Sequence, residues 1–382
     1  MLSDQPDWKS LRNRFPIFKS KTYINSCSYG ALSTEVETAF QTYLNDRHAH
    51  GSDWYNWVEH NELLRNEFAK LFNATPDEIA VTTSASAGIN AVASSLDFTG
   101  SRNKVVVTEL EFPTNSQIWF AQQPRGAKVV RVGAGENKTL IERLSEVIDD
   151  TTLIVAVTHV CYRNGEKLDI KAIRDLARKH GALIMIDGYQ AIGTMELDLK
   201  NLDIDFYVCG SLKYLLSTAG VAFLYANKDT VNLNPPTHTG WFAQKDIHAM
   251  DDTQYNPSDT ARRFESGTPP VPNIYACRAG LSIIKDISLK SIEARISDLT
   301  GSIVSRALNA GYKLSTPQDP KRRGAMVAIK STDEHALVSE LDEYDIVSSC
   351  RDGNLRLSPH FYNTEEDIAK VFDILSKSKF MR

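Results

Sequence analysis

The chain has 382 residues, 42% of them apolar, with a formal charge of −5, which leaves room for two domains and a sizeable core. Its Lys and Arg residues are dispersed and the longest basic cluster is Lys321-Arg322-Arg323, so no nucleic-acid partner is indicated. No apolar run approaches the roughly 20 residues of a membrane span, and the polar start Met1-Leu2-Ser3-Asp4-Gln5 is not a signal peptide, so a cytoplasmic protein without a membrane partner is expected.

The first strand is predicted over 79–83, followed by Ser84-Ala85-Ser86-Ala87-Gly88 and a helical run over 89–96. Small residues there let backbone amides approach an anion, the positive end of the helix favours a phosphate dianion, and Ser86 adds a hydroxyl. Taken alone, the segment is equally an ordinary helix cap. Further strands are predicted over 104–109, 128–132, 153–157, 182–186, 206–209 and 221–225, alternating mostly with helices. The helix over 170–179 shows the pattern: Ile170, Ile173, Leu176 and Ala177 repeat at helical spacing and Gly181 stops it. The alternation implies an α/β domain with a mostly parallel seven-stranded sheet between helices.

A long polar stretch over 232–272, rich in Pro, Thr, Asp and Gln, reads as functional or interfacial. Helices over 273–287 and 291–310, strands over 325–330 and 355–358, and a last helix over 365–377 capped by Thr364 follow. They make a smaller α+β C-terminal domain. The expected division is 20–265 for the large domain, with 1–19 and 266–382 forming the small one.

Asp187 and Lys213 carry the chemistry. Asp187 ends the apolar run from Ala182 to Ile186, at the carboxyl edge where open α/β sheets bind ligands. Lys213 follows the next strand on a loop. A carboxylate beside one strand end and an amine beside the next can hold a pyridine nitrogen and an aldehyde carbon across one ring, which is what pyridoxal 5'-phosphate requires.

The ordered segments Tyr23-Ile24-Asn25-Ser26, Ser84 to Gly88, Glu109-Leu110-Glu111-Phe112-Pro113-Thr114-Asn115, Asp187-Gly188-Tyr189-Gln190, Lys213-Tyr214-Leu215-Leu216, Phe264-Glu265-Ser266-Gly267-Thr268-Pro269, and Leu355-Arg356-Leu357-Ser358 with Tyr362-Asn363-Thr364 resemble the class V aminotransferase-fold enzymes. That pyridoxal-phosphate group of fold type I includes cysteine desulfurases, selenocysteine lyases, kynureninase and isopenicillin N epimerase. The resemblance implies that Lys213 binds the cofactor aldehyde, Asp187 pairs with the pyridinium, Gln190 bonds the 3-hydroxyl and Phe112 stacks on the ring. It implies phosphate contacts from Ala85 and Ser86, with Ser211 as a second hydroxyl donor rather than Gly210, where relatives often have Ser. Thr268 matches a residue that reaches the neighbouring subunit's phosphate, implying a homodimer with shared sites. Arg356 matches a clamp for the substrate carboxylate. The long polar stretch would cross the dimer interface, with Trp241 and Phe242 near the site's mouth.

Three departures bear on the reaction. Desulfurases carry a nucleophilic cysteine on a long loop, whereas Cys350 lies close before Arg356 on a short one. Phe112 stands where many desulfurases have a histidine, leaving acid/base work to Lys213. In Cys161-Tyr162-Arg163-Asn164-Gly165, Tyr162 offers a phenol to the substrate, and Arg163 reads either as a contact for a second anionic group or as a rim salt bridge. The implied chemistry passes through an external aldimine and a Cα carbanion. Transamination is the first expectation, with carbon-sulfur or carbon-selenium β-elimination or epimerisation as alternatives, and a non-catalytic cofactor-binding module as the reading of another class. Five scattered cysteines support neither disulfides nor zinc. No metal is expected, and His48 with His50 reads as a solvated pair. His159 either approaches the site or is a satisfied core histidine; His360 is a weaker candidate.

Overall fold

The computed structural model describes residues 6–133, 135, 137–231 and 234–381. The polar start at 1–5 and the first two positions of the stretch expected over 232–272 lie outside the described residues. In chain order the strands are β1 (Thr22–Tyr23), β2 (Ile79–Thr82), β3 (Lys104–Thr108), β4 (Lys128–Val132), β5 (Thr152–Thr158), β6 (Leu183–Asp187), β7 (Phe206–Gly210), β8 (Ala222–Ala226), β9 (Val327–Lys330), β10 (Ile346–Val347), β11 (Ser349–Arg351) and β12 (Asn354–Leu357).

Seven of them form one sheet in the order β2-β8-β7-β6-β5-β3-β4. All neighbours pair in parallel except β8, which runs antiparallel to both β2 and β7. Every residue of β2, β7 and β8 is buried. Runs without a polar face are what a sheet covered by helices on both sides requires. The alternate faces fill two cores: Val81, Val157, Ile186 and Phe223 belong to one, and Ala80, Ala156, Val208 and Leu224 to the other.

The sheet's β2 edge is closed by side chains. Glu265 accepts the outward Val81 N–H at 2.8 Å, and Arg65 bonds Glu265 at 2.6 Å and the Ile79 carbonyl at 2.5 Å, both charges being buried. This pair covers an edge that would otherwise be open and fixes the strand that leads into the Ser84 turn.

The second body of structure is the antiparallel sheet β11-β12-β9 with its own core of Leu299, Ile303, Val327, Leu355, Ile368 and Val371. Thr364 caps the helix Glu365–Leu375 in a reciprocal box with Asp367. The amino-terminal segment docks on this side: β1 pairs with β10, Ile24 joins the core, and Arg12 grips Asp367 and the Tyr362 carbonyl at 2.7 Å. The helix Val271–Ile287 instead packs on the helices Thr34–His50 and Trp54–Leu71, and Ile274, Leu281 and Ile284 join the core beneath the large sheet. Among the described residues no helix is long and apolar enough to cross a membrane.

Candidate active site

The carboxyl ends of β5, β6 and β7 meet the Ser84 turn around a cavity of about 300 Å³. Ser84, Ala85 and Ser86 line it from the turn, Asp187, Tyr189 and Gln190 from the end of β6, and Ser28, Phe112, Tyr162 and Lys213 are among the rest of its lining. A larger open cleft of about 1710 Å³ lies elsewhere and includes neither Asp187 nor Lys213.

Lys213 sits on the connection between β7 and β8, which runs back antiparallel and so needs no crossover helix. The amino-terminal segment holds that connection: the Gly30 N–H donates to the Leu212 carbonyl at 2.9 Å. A Cβ on Gly30 would lie 2.3 Å from the Lys213 carbonyl oxygen, so only glycine permits this approach. Farther along, the Tyr29 phenol accepts the Ala219 N–H at 2.9 Å. Burial pushes the Lys213 ammonium down to about 8; Cys27 and Asp187 oppose this shift, and the Arg356 charge adds to it.

Asp187 is buried, and burial pushes its carboxyl up, against the Tyr189 N–H that Oδ1 accepts at 3.0 Å and the nearby Lys213 charge. Lys213 acts on it only through space, and among the described residues no ion pair meets the carboxylate. Gln190 Nε2 donates to the Cys27 carbonyl at 3.0 Å, which fixes the amide at the cavity. Ser84 Oγ caps the helix Ala85–Ser95 by accepting the Ala87 N–H at 3.1 Å. Among the described residues, the Ala85 and Ser86 amides and the Ser86 hydroxyl have no hydrogen-bond partner. Free donors at a helix start, a buried carboxylate and a half-buried amine form a donor set that fits pyridoxal phosphate.

Arg356, 5% exposed, lies on β12 opposite Ser349 of β11. Nη1 donates to the Tyr162 carbonyl at 2.8 Å and Nη2 to Ser349 Oγ at 3.0 Å and Ser28 Oγ at 3.4 Å, while among the described residues the buried Nε has no partner. An uncompensated buried guanidinium is an anion site in waiting. Tyr162 packs edge-to-face on Phe112, 5.1 Å between centroids, and Phe112 stays 46% exposed over the cavity.

Several expected residues fall elsewhere. Ser211 does not line the cavity: it is fully buried and its hydroxyl is turned onto the carbonyls of Val221 at 2.9 Å and Thr218 at 3.2 Å, which leaves it no donor for a phosphate. Thr268 is exposed and outside the cavity of its own chain. Arg163 bonds the Glu109 carbonyl and faces Asp352 at 3.6 Å, so of its two readings the rim salt bridge is the contact present. Trp241 packs on Trp54 and Phe242, away from the cavity lining. Cys350 pairs across the hairpin with Leu355 and so points to the face opposite Arg356, its Sγ 3.4 Å from His335 Nδ1.

His159 lines the larger cleft and bonds the Tyr207 hydroxyl at 3.2 Å; burial pushes it down to about 4. His360 accepts the Phe361 N–H at 2.8 Å and meets the Tyr214 carbonyl at 3.0 Å, a satisfied core histidine. His48 and His50 end an exposed helical turn, and the described residues contain no metal-ligating cluster.

Sequence reasoning passed over Ser28, Ser349, Tyr189 and Glu111. Glu111 accepts from Thr108 and Asn115, both at 2.7 Å, and Asn115 accepts from Trp119 at 2.9 Å. Burial pushes Glu111 up to about 7, opposed by these bonds, and nearby Asp187 adds to the shift. The i, i+4, i+8 spacing of Glu111, Asn115 and Trp119 was the available signal. Ser28 had none, because it meets Arg356 only when the two ends of the chain come together; Ser349 could have been read from the hairpin that sets it opposite Arg356.

A family model described as "Aminotransferase class-V" matches residues 32–371. The chain is 34% identical over 362 residues to a Bacillus subtilis (strain 168) protein named "Uncharacterized aminotransferase YcbU", covering 95% of each. It is 27% identical over 396 residues to a kynureninase of Geobacillus thermodenitrificans, covering 98% of this chain and 92% of the relative. Among solved structures it superposes on an apo cysteine desulfurase from Thermococcus onnurineus with a TM-score of 0.86 at 22% identity, covering 99% of both chains. It superposes on the cystine C-S lyase C-DES in complex with cysteine persulfide with a TM-score of 0.87 at 21% identity, covering 96% of this chain and all of the other. At such identities the likeness is one of fold, that of the type I pyridoxal-phosphate enzymes.

Proposed function

The chain belongs to the class V aminotransferase family, whose members use pyridoxal phosphate, and on that premise we propose that it transfers the amino group of an α-amino acid to a keto-acid acceptor. The observation that carries the reading is the Lys213 amine, brought down to about 8, in a cavity that Tyr162 also lines, with the buried Arg356 bonded to the Tyr162 carbonyl and its Nε without a partner among the described residues. Bound there, the cofactor supplies an electron sink for the charge that develops at the substrate Cα.

The protein's own groups divide the remaining work. Lys213 would hold the cofactor aldehyde, and its free amine, with a pKa brought toward working pH, would take the Cα proton as a base. Asp187, buried and with no ion pair among the described residues, would keep a proton at the ring nitrogen. Gln190 would bond the 3-hydroxyl, Phe112 would pack on the ring face, and the Ala85 and Ser86 amides with the Ser86 hydroxyl would take the phosphate. Arg356 binds the substrate carboxylate, and Tyr162, packed on Phe112, bounds the substrate's side chain.

Transamination is favoured by the relative at 34% identity, which is named an uncharacterized aminotransferase, while Cys350, pointing away from Arg356, speaks against a persulfide route but not against a β-lyase that uses no cysteine. We further infer a homodimer in which Thr268 reaches the partner's phosphate, supported by the exposure of Thr268 outside its own cavity. Five free cysteines agree with a reducing compartment, and the cytoplasm is the location proposed.

The test is a panel of amino acids mixed with holoenzyme with and without keto acids. Amino-acceptor dependence with a pyridoxamine spectrum supports transamination. Pyruvate, or sulfide or selenide, released without an acceptor identifies a β-lyase, inverted amino acid an epimerase, and inertness to every amine a binding module.

A further inference from the structure

Tyr189 is the cavity residue whose presence nothing above explains. It follows Asp187 by two positions and lines the cavity, and its hydroxyl has no hydrogen-bond partner among the described residues. Its ring lies 4.6 Å from Lys213 Nζ. The phenol occupies the space of a missing side chain. A Cβ on Gly210 would lie 2.1 Å from Tyr189 Cζ and 2.1 Å from its hydroxyl oxygen.

Strand alternation says where that space is. Val208 and Gly210 share one face of β7. Val208 meets the helix Ala85–Ser95 on that face, its Cγ2 3.2 Å from the Cβ position of Gly88. Gly210, two residues closer to the carboxyl end, therefore faces the start of that helix. Tyr189 also packs against the cluster containing Ala85, Ile89 and Val208. The phenol and the free amides of Ala85 and Ser86 thus belong to residues that line one cavity.

The geometry points to Tyr189 as a phosphate donor of the cofactor site, its hydroxyl standing where a side chain at Gly210 would otherwise project. Tyr189 and Gly210 form a reciprocal pair: the glycine makes room for the ring, and the ring returns the hydroxyl that the glycine lacks. Ser211, turned inward, cannot do this. Burial, with the nearby Cys209, Asp187 and Tyr29, holds the Tyr189 phenol well above its ordinary pKa, so it stays protonated and able to donate. The inference rests on the cofactor assignment proposed above and deepens it.

The experiment titrates apoprotein with pyridoxal phosphate and, separately, with pyridoxal, which lacks the phosphate, reading absorbance and intrinsic fluorescence. Tyr189→Phe keeps the ring beneath Lys213 and removes only the oxygen. Loss of one hydrogen bond to a charged group weakens pyridoxal phosphate by about tenfold or more and leaves pyridoxal within about twofold. Gly210→Ser alone disrupts cofactor binding because its Cβ collides with Tyr189. Tyr189→Ala/Gly210→Ser binds pyridoxal phosphate more tightly than Tyr189→Ala. Equal losses for both ligands in Tyr189→Phe, or no change for either, overturn the assignment of the phenol. Failure of the unsubstituted protein to bind pyridoxal phosphate overturns the underlying cofactor reading instead.

Discussion

Replacing Arg356 by lysine tests the carboxylate clamp with the charge preserved. In the structure Nη1 and Nη2 are engaged by the Tyr162 carbonyl at 2.8 Å and Ser349 Oγ at 3.0 Å, and Nε is left over in a buried position. A lysine brings one compact ammonium, which cannot hold both protein anchors and also face a carboxylate in a planar two-point arrangement. Hydrogen bonds to charged groups contribute about 1.5–3 kcal/mol, and each 1.4 kcal/mol is about a factor of ten. Arg356→Lys is therefore expected to lower kcat/KM for an α-amino acid by about ten- to a hundredfold. The assay is single-turnover absorbance of the holoenzyme, run in parallel with an α-amino acid and with the amine that lacks its carboxylate. The amine, which gives Arg356 nothing to hold, is expected to react at nearly the same rate in both proteins. An equal loss with both compounds would refute the clamp and make Arg356 a structural residue of the β11–β12 hairpin.

The rate at which apoprotein captures pyridoxal phosphate is expected to rise with pH and level off above about 8, following deprotonation of Lys213; a midpoint near the ordinary 10.5 would contradict its burial. Because the folded-state value is depressed, the unfolded chain binds the extra proton between about 8 and 10.5, so this group makes apoprotein stability rise with pH through that window in urea titrations. Glu265→Gln strips Arg65 of its buried partner while Glu62 still faces it at 2.9 Å. The expected cost is near the lower end of the range for broken buried pairs, about 3 kcal/mol by chemical denaturation, and a loss below about 1 kcal/mol would show that the pair does not hold the β2 edge. Cys350→Ala is expected to leave turnover within about twofold with every amino acid tested, and a loss above about tenfold would bring a thiol into the chemistry.

The seven strands of the large sheet were legible because each is a short apolar run bounded by breakers, and their ends agree with the structure to within a residue or two. The reversed direction of β8 was not read, although the connection carrying Lys213 is short enough to require it. Helix Thr34–His50 gave little signal since only Val36 is fully buried along it. Asp187, Gln190 and Lys213 could be read as residues of one cavity because Asp187 ends β6 and the other two follow strand ends within three residues, where chain order and position in the sheet coincide. Ser211 was misjudged as a donor because adjacency to Lys213 says nothing about which way a hydroxyl turns. Ser28 reaches Arg356 from the other end of the chain, which no local pattern encodes, whereas Ser349 faces Arg356 across the short β11–β12 hairpin. Tyr189 was visible in its segment, but its part depends on the empty side-chain position of Gly210 on the neighbouring strand.

The central claim is that Lys213 and Asp187 hold pyridoxal phosphate for chemistry at an amino group, and the visible absorbance spectrum tests it most directly. The purified protein supplied with pyridoxal phosphate is expected to show a band for the lysine-bound cofactor that disappears in Lys213→Ala and shifts with particular amino acids. A protein with no such band, or a band that survives loss of Lys213 unchanged, would contradict the account.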